Sequence, residues 1–244
     1  MLGNGIVNKE KILENYATTQ YNTTDFSKQR VEHMKSLLRS LPELRSLPKS
    51  ISILELGSGM GTFTHTCKEL DFKNYTGVDL SEQEISIVSN LYSEYKFCCD
   101  DIIHFLKLYP FKYDLIYMNQ VFEHLTLEQA YEILPLIYEH LTPNGKLINI
   151  FPNANAYYHA SGNRYNDITH QQTYTEQSIK QLFRVLGYNN FEVRNTYVGH
   201  NKLQNLIHKS YLAIFNLHLK LLGFAKWDIY TRSMITILEK NNDC

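Results

Sequence analysis

The run Ile53-Leu54-Glu55-Leu56-Gly57-Ser58-Gly59-Met60-Gly61 limits the possible folds more than any other stretch, because an apolar segment enters three glycines spaced at alternate positions. Glycine is needed where φ is positive or where a ligand must come close to the backbone. The segment before the turn reads as a buried strand, and the segment after it reads as a helix whose first N–H groups lack intrahelical acceptors. A strand, a glycine turn and a helix in that order open a parallel βαβ unit, with a small polar ligand expected at the helix start. The dinucleotide spacing G-x-G-x-x-G would require Gly or Ala at the position of Thr62. The spacing here is G-x-G-x-G, and the acid Glu55 two residues before Gly57 suits a ligand bearing an amino group.

Beyond this unit, strands are expected at Tyr75–Leu80, Lys96–Asp100, Asp114–Asn119 and Lys146–Phe151, with the first strand spanning Ile51–Leu56. Ser81 with Glu84 and Thr126 with Gln129 have the spacing of capping boxes, so each opens a helix, and Pro135 should kink the second. Strands alternating with amphipathic helices imply an α/β, doubly wound, mostly parallel sheet. Residues 1–50 read as an N-terminal helical cover. In it Asn8–Arg39 is helical, Thr24 or Asp25 caps the second helix, Val31, Met34 and Leu38 share a stripe, and Pro42 and Pro48 end the pattern. Residues 51–244 form the main domain. Within it 152–174 is a long loop rich in Asn, Tyr and His, followed by a helix at Thr175–Leu186, a strand at Phe191–Val198, an apolar helix within 202–222 and a strand near Ser233–Glu239.

Four strand ends in succession carry polar groups: Glu55 before the turn, Asp79, Asp100-Asp101, and Asn119-Gln120. In open α/β sheets ligands bind outside these ends, and Asp79 is placed to accept from two ribose hydroxyls. Lys plus Arg number 24 against 25 Asp plus Glu, so bulk charge gives no reason to expect nucleic acid. Cys67, Cys98, Cys99 and Cys244 form no C-x-x-C pair, which argues against a zinc site or a disulfide framework. Met1–Glu14 is too polar for a secretory or spanning segment, so a cytoplasmic location is expected.

The ordered set ELGSGMG, VDLS, CDDI, YDLIYMNQVFEHL and LTPNGKLINI resembles the class I S-adenosylmethionine-dependent methyltransferases over about Ile51–Phe151. The resemblance implies a Rossmann-like sheet of seven strands and S-adenosyl-L-methionine as cofactor. It also implies that Glu55, Gly57, Ser58, Gly59 and Gly61 hold the methionine end, Asp79 and Leu80 the ribose, Asp100, Asp101 and Ile102 the adenine, and Asn119 with Gln120 the sulfonium neighbourhood. The segment NRYNDITHQQTYTEQSIKQLFRVLGY is similar to an R-x-x-D-x-T-H segment and following helix in methyltransferases of bacterial surface-polysaccharide clusters, which implies a sugar hydroxyl acceptor. Ubiquinone-pathway O-methyltransferases share the Glu-His after the fourth strand. Some of them place a metal-binding glutamate where this chain has Gln120, so no metal is expected.

A sugar hydroxyl is a poor nucleophile and needs a positioned base, for which His is the first candidate type. His170, with Asp167 to orient it, is the expected base, and His124, beside Glu123, is the alternative; both fall in the motifs at the ligand edge. On the acceptor side Arg164 can hold a phosphate or carboxylate, Tyr158 and Tyr165 can stack on a sugar face, and Asn153 can contact the acceptor. A quinone precursor or an amine is the alternative acceptor, and a non-catalytic cofactor- or partner-binding protein is the alternative from another class. Residues Val193–Trp227 contain no acid. Leu203, Leu206, Ile207, Ile214, Leu217 and Leu221 form one stripe, and Leu212, Phe215, Leu219 and Leu222 a second. One stripe can pack on the sheet domain. The other is expected to meet a second copy of the chain or an anionic membrane surface.

Overall fold

The computed structural model describes residues 26–156, 160–197, 202–223 and 228–242. Thr24, Asp25, Tyr158 and Cys244 therefore lie outside the described residues. Strand β1 (Ser52–Leu56) and strand β4 (Tyr113–Asn119) sit at the centre, where Ile53, Leu54, Leu56, Ile116, Tyr117 and Met118 are all inaccessible to solvent. Consecutive buried residues, rather than alternating ones, are what a parallel sheet covered on both faces demands. With β2 (Asn74–Asp79), β3 (Lys96–Cys99), β5 (Leu141–Pro152), β6 (Phe191–Asn195) and β7 (Ser233–Glu239) they form a seven-stranded sheet of order β3-β2-β1-β4-β5-β7-β6. Strand β7 runs antiparallel to both neighbours, and the other recorded pairings are parallel. The expected doubly wound, mostly parallel, Rossmann-like sheet is the one formed. Its order reverses between β1 and β4, which opens a crevice beyond their C-terminal ends.

Alternate residues of each strand feed two cores. Leu54, Leu56, Ile116 and Met118 join Phe122, Ile133 and Phe183 on one face. Ile53, Leu115 and Tyr117 join Phe63 and Phe72 on the other, with Leu37, Leu38 and Leu41 from helix α1 (Phe26–Ser40) and its end. On this second face Phe63 of helix α2 (Thr62–Glu69) stacks on Tyr117 with centroids 3.7 Å apart.

Helix α3 (Glu82–Leu91) starts where Ser81 Oγ accepts from the Glu84 amide, and helix α4 (Ile102–Leu108) is capped by Asp101. Thr126 and Gln129 complete both halves of a capping box at the start of α5 (Leu127–His140), which is one helix through Pro135. Helix α6 (Ala160–Tyr165), helix α7 (Glu176–Val185) and helix α8 (Lys202–Leu221) follow. Strand β5 starts five residues before the expected Lys146. Pro143-Asn144-Gly145 reads as a turn, yet Tyr113 pairs with Leu141 and the register shifts before Leu115 to absorb the irregularity.

The turn that follows β1 has Gly57 at φ 82°, Gly59 at 47° and Gly61 at 76°. The Gly57 and Ser58 amides donate to Val78 O at 2.8 and 3.0 Å, and a Cβ on Gly57 would stand 2.2 Å from Val121 Cγ2. Gly57→Ala should therefore destabilise the protein by about 2–5 kcal/mol, from left-handed strain plus overpacking. Measured by denaturant unfolding against the Val121→Ala background, the packing part should disappear and the strain part should persist. Equal costs in both backgrounds would refute the close approach.

Candidate active site

The crevice beyond the strand ends is a cleft of about 1120 Å³, large enough for a nucleoside cofactor together with an acceptor. Its lining includes every cofactor-site residue that the resemblance pointed to except Gly61: Glu55, Gly57, Ser58, Gly59, Asp79, Leu80, Asp100, Asp101, Ile102, Asn119 and Gln120. Gly61 is not among the lining residues and acts as the left-handed N-cap of α2. Helix α1 closes one side with His33, Ser36 and Leu37, and Arg30 Nε donates to Met60 O at 2.8 Å, which ties α1 to the glycine turn.

Both carboxylate oxygens of Asp79 are engaged by backbone. Oδ2 accepts from Gly59 N at 2.8 Å and Oδ1 from Ser81 N at 3.0 Å, and the Leu80 amide also favours the carboxylate. Burial raises its pKa, opposed by these N–H groups. Glu84, which sequence reasoning treated only as part of a helix start, also lines the cleft. Burial, then the charge of Asp79, pushes it up to about 7. Glu55, expected at the amino group of a ligand, lines the cleft while its Oε2 accepts from Tyr75 and from Thr64 (3.4 Å), and burial holds its carboxyl well above the usual range. Asp101 spends Oδ1 on the amides of Ile103 and His104. Asp100 pairs with His104 Nδ1 at 2.8 Å.

The residues present fit a polar adenosyl ligand. The Ser58 hydroxyl is buried without a hydrogen-bond partner, and the space above Gly59 is open up to Glu84, whose Oε2 would lie 3.5 Å from an added Cβ. A family profile described as a methyltransferase domain matches residues 27–193, two thirds of the chain. The chain belongs to this family. A malonyl-[acyl-carrier protein] O-methyltransferase of Bacillus cereus is 36% identical over 116 residues, which is 46% of this chain and 42% of that protein, so the match spans less than half of the relative. Among solved structures, a SAM-dependent methyltransferase from Archaeoglobus fulgidus superposes with TM-score 0.66 at 22% identity, covering 86% of this chain and 94% of the other. The plantazolicin methyltransferase BpumL, in complex with S-adenosylhomocysteine and a monoazolic desmethylPZN analog, gives 0.59 at 19% identity over 96% and 95%. At such identities the likeness is one of fold.

At the far end of the cleft the 3-10 turn Phe122–His124 meets the loop 166–172. The Glu123 carbonyl accepts from Gln171 N at 2.8 Å and Gln172 N at 3.1 Å, which suspends that loop beside the sheet. Thr169 Oγ1 donates to Asp167 Oδ1 at 2.6 Å and lies 2.8 Å from His124 Nδ1. A hydroxyl has one proton, and here Asp167 receives it. His124 Nδ1 must then be the donor to Thr169, and the ring's lone pair lies on Nε2. Asp167 thus reaches His124 through Thr169. His170, the residue it was expected to orient, has Nε2 at 3.9 Å from Asp167 Oδ2 and 4.0 Å from Glu123 Oε1, too long for hydrogen bonds.

Glu123 is 1% exposed, and neither carboxylate oxygen has a hydrogen-bond partner. Burial, with the charge of Asp167 adding to it, pushes its pKa up to about 8. Glu123, His124 and His170 bring three potential ligand atoms within 4.8 Å of one another. His33, missed by sequence reasoning because it sits on a cover helix, is held neutral by burial, its pKa lowered to about 4.

The acceptor residues expected from the loop are not gathered here. Arg164 and Tyr165 are absent from the cleft lining, with the guanidinium 5.5 Å from the Tyr165 ring centre and that ring exposed. The side chain of Asn153 donates to Ile229 O and Thr231 O and accepts from Asn155 N, which makes it a fully buried staple between β5 and the segment before β7. In their place the cleft wall carries Gly162, Asn166, Thr196 and Arg232.

Glu123 generates a pH prediction. Its carboxyl ionises at its ordinary value of about 4.5 when unfolded and at about 8 when folded, so its contribution to stability is complete below about 4.5 and is lost as pH rises through 8. Unfolding of Glu123→Gln followed from pH 4.5 to 8.5 should show the variant gaining on the parent across that window. Parallel stability curves would mean that the carboxyl is not held neutral.

Proposed function

We propose that the chain transfers the methyl group of S-adenosylmethionine to a hydroxyl of a sugar or sugar precursor of a bacterial surface glycan, in the cytoplasm, with His124 as general base. The observation that carries this reading is the chain Asp167–Thr169–His124 at the cleft wall, which fixes one tautomer of an imidazole where a second substrate would lie. Asp79 holds the ribose, Asp101 and Ile102 line the adenine, the turn Gly57–Gly59 faces the methionine end, and Asn119 with Gln120 borders the reacting group. The cofactor supplies a methyl group already activated on a sulfonium. What the protein adds is close, collinear placement of the acceptor and removal of its proton.

His124 presents Nε2 to the acceptor, and the charge it gains is stabilised by Asp167 through the Thr169 hydroxyl, as a third group does in other base–orienter pairs. Glu123 stays protonated below about pH 8 and so does not compete for the acceptor's proton. His170 closes the site beside His124, ring centres 4.8 Å apart, and remains the alternative base. Carboxyl acceptors, as the name of the Bacillus cereus relative indicates for that enzyme, are already ionised at neutral pH and need no base.

Two measurements test the assignment. Asp79→Ala should weaken S-adenosylhomocysteine binding by roughly tenfold to several hundredfold in calorimetry, because charge-assisted bonds are lost. Unchanged affinity would remove Asp79 from the cofactor site.

S-adenosylhomocysteine release with a panel of nucleotide sugars, catechols, amines and acyl-carrier thioesters identifies the acceptor class. On a sugar acceptor His124→Ala should lower kcat by roughly 10²–10⁴ with cofactor affinity intact. Thr169→Val should move the acidic limb of the kcat profile to lower pH, since the imidazolium loses Asp167's support, and Thr169→Ser should restore it. The reaction is expected to survive EDTA. Loss of turnover that divalent cations restore would instead make Glu123, His124 and His170 a metal centre, and full activity of His124→Ala would point to an acceptor that needs no base.

A further inference from the structure

Helix α8 carries two apolar stripes with different surroundings. Leu212, Phe215 and Leu219 are half-buried, whereas Leu203, Leu206, Ile207, Ile214, Leu217 and Leu221 stand in solvent, with Leu203 65%, Ile214 67% and Leu221 78% exposed. At 3.6 residues per turn these six fall on one face, which runs the length of a helix about 30 Å long. The helix sequence contains Lys202, Lys209 and Lys220 and no acid, and the acid-free stretch extends from Val193 to Trp227. Lys209 and Lys220 are eleven residues apart, a spacing that returns to the same line of a helix, and this line runs along one flank of the apolar face.

We propose that this face of α8 rests on an anionic lipid surface, its apolar stripe entering the headgroup–acyl boundary and its lysines reaching the anionic headgroups. Charge selects this occupant. A second copy of the chain docked through the same stripe would bring lysines against lysines with no acid on the helix to pair them, whereas anionic headgroups are complementary along its whole length. Long lysine side chains beside an apolar face can also extend to the headgroup level while their stems stay in contact with it. Among the described residues no helix is long and apolar enough to cross a membrane, so α8 lies on the surface rather than spanning it. The inference does not depend on which acceptor the active site takes.

The test uses the full chain and sedimentation with phosphatidylcholine vesicles, with and without phosphatidylglycerol. The chain should sediment with the anionic vesicles only, and high salt should release it. Lys209→Gln/Lys220→Gln should weaken binding roughly 25-fold, at about fivefold per lysine, and Leu206→Glu/Leu217→Glu should abolish it. Both double variants should bind S-adenosylhomocysteine with parental affinity in calorimetry, which separates loss of the surface from loss of the fold. Failure of the parent to sediment with anionic vesicles would overturn the proposal. So would a dimer in light scattering that Leu206→Glu/Leu217→Glu splits while vesicle binding is absent, because the stripe would then belong to a second copy.

Discussion

The approach of Gly57 to Val121 is the constraint from which the cleft follows. The end of β1 and the segment after β4 come so near each other that no Cβ fits between them, and the left-handed backbone at Gly57 turns the chain away just there. The same turn places two amides on Val78 O and a third on Asp79, so three strand ends are locked by one short stretch of backbone. Arg30 then holds α1 to Met60 O, which makes the cover helix a wall of the cleft.

The two ends of that cleft are built on different physical terms. At the end bordered by the glycine turn, Asp79 and Glu84 are buried near one another, and burial raises the pKa of both, that of Asp79 against the pull of backbone N–H groups. At the other end a single residue does two things. The carbonyl of Glu123 suspends the 166–172 loop, and its unpartnered carboxyl lies 4.0 Å from that loop's His170. Backbone hydrogen bonds thereby fix the distance between His124 and the Asp167–Thr169 pair.

What lies outside the sheet carries the individuality of this methyltransferase. Solved relatives near 20% identity share the fold across most of the chain, and fold alone does not choose an acceptor. The parts able to make that choice are the wall formed by α1, the loop hung on Glu123, and Arg232 and Ser233 at the start of β7. Helix α8 stands apart from these, with its bare apolar face and with Lys209 and Lys220 turned to solvent.

The sheet, its near-parallel character, the glycine turn and the polar strand ends were legible in the sequence, because each depends on local patterns: buried apolar runs, positive-φ glycines and caps such as Thr126 with Gln129. The strand ends in one order marked a ligand site at one edge of the sheet, and the class of chemistry was legible through the resemblance of those ordered motifs to known methyltransferases. The sequence also marked His124, Asp167 and His170, but it joined Asp167 to the nearer histidine along the chain. Only the tertiary structure shows that Asp167 is also linked, through the Thr169 hydroxyl, to His124 43 positions away, while it keeps a 3.9 Å ion-pair contact with His170. It likewise turned Glu55 toward Tyr75 and Asn153 toward the segment before β7, and recruited Glu84 and His33 to the cleft. A side chain's chemical type is written in one letter, whereas its partner is set by packing between segments distant in the chain, and no local pattern records that.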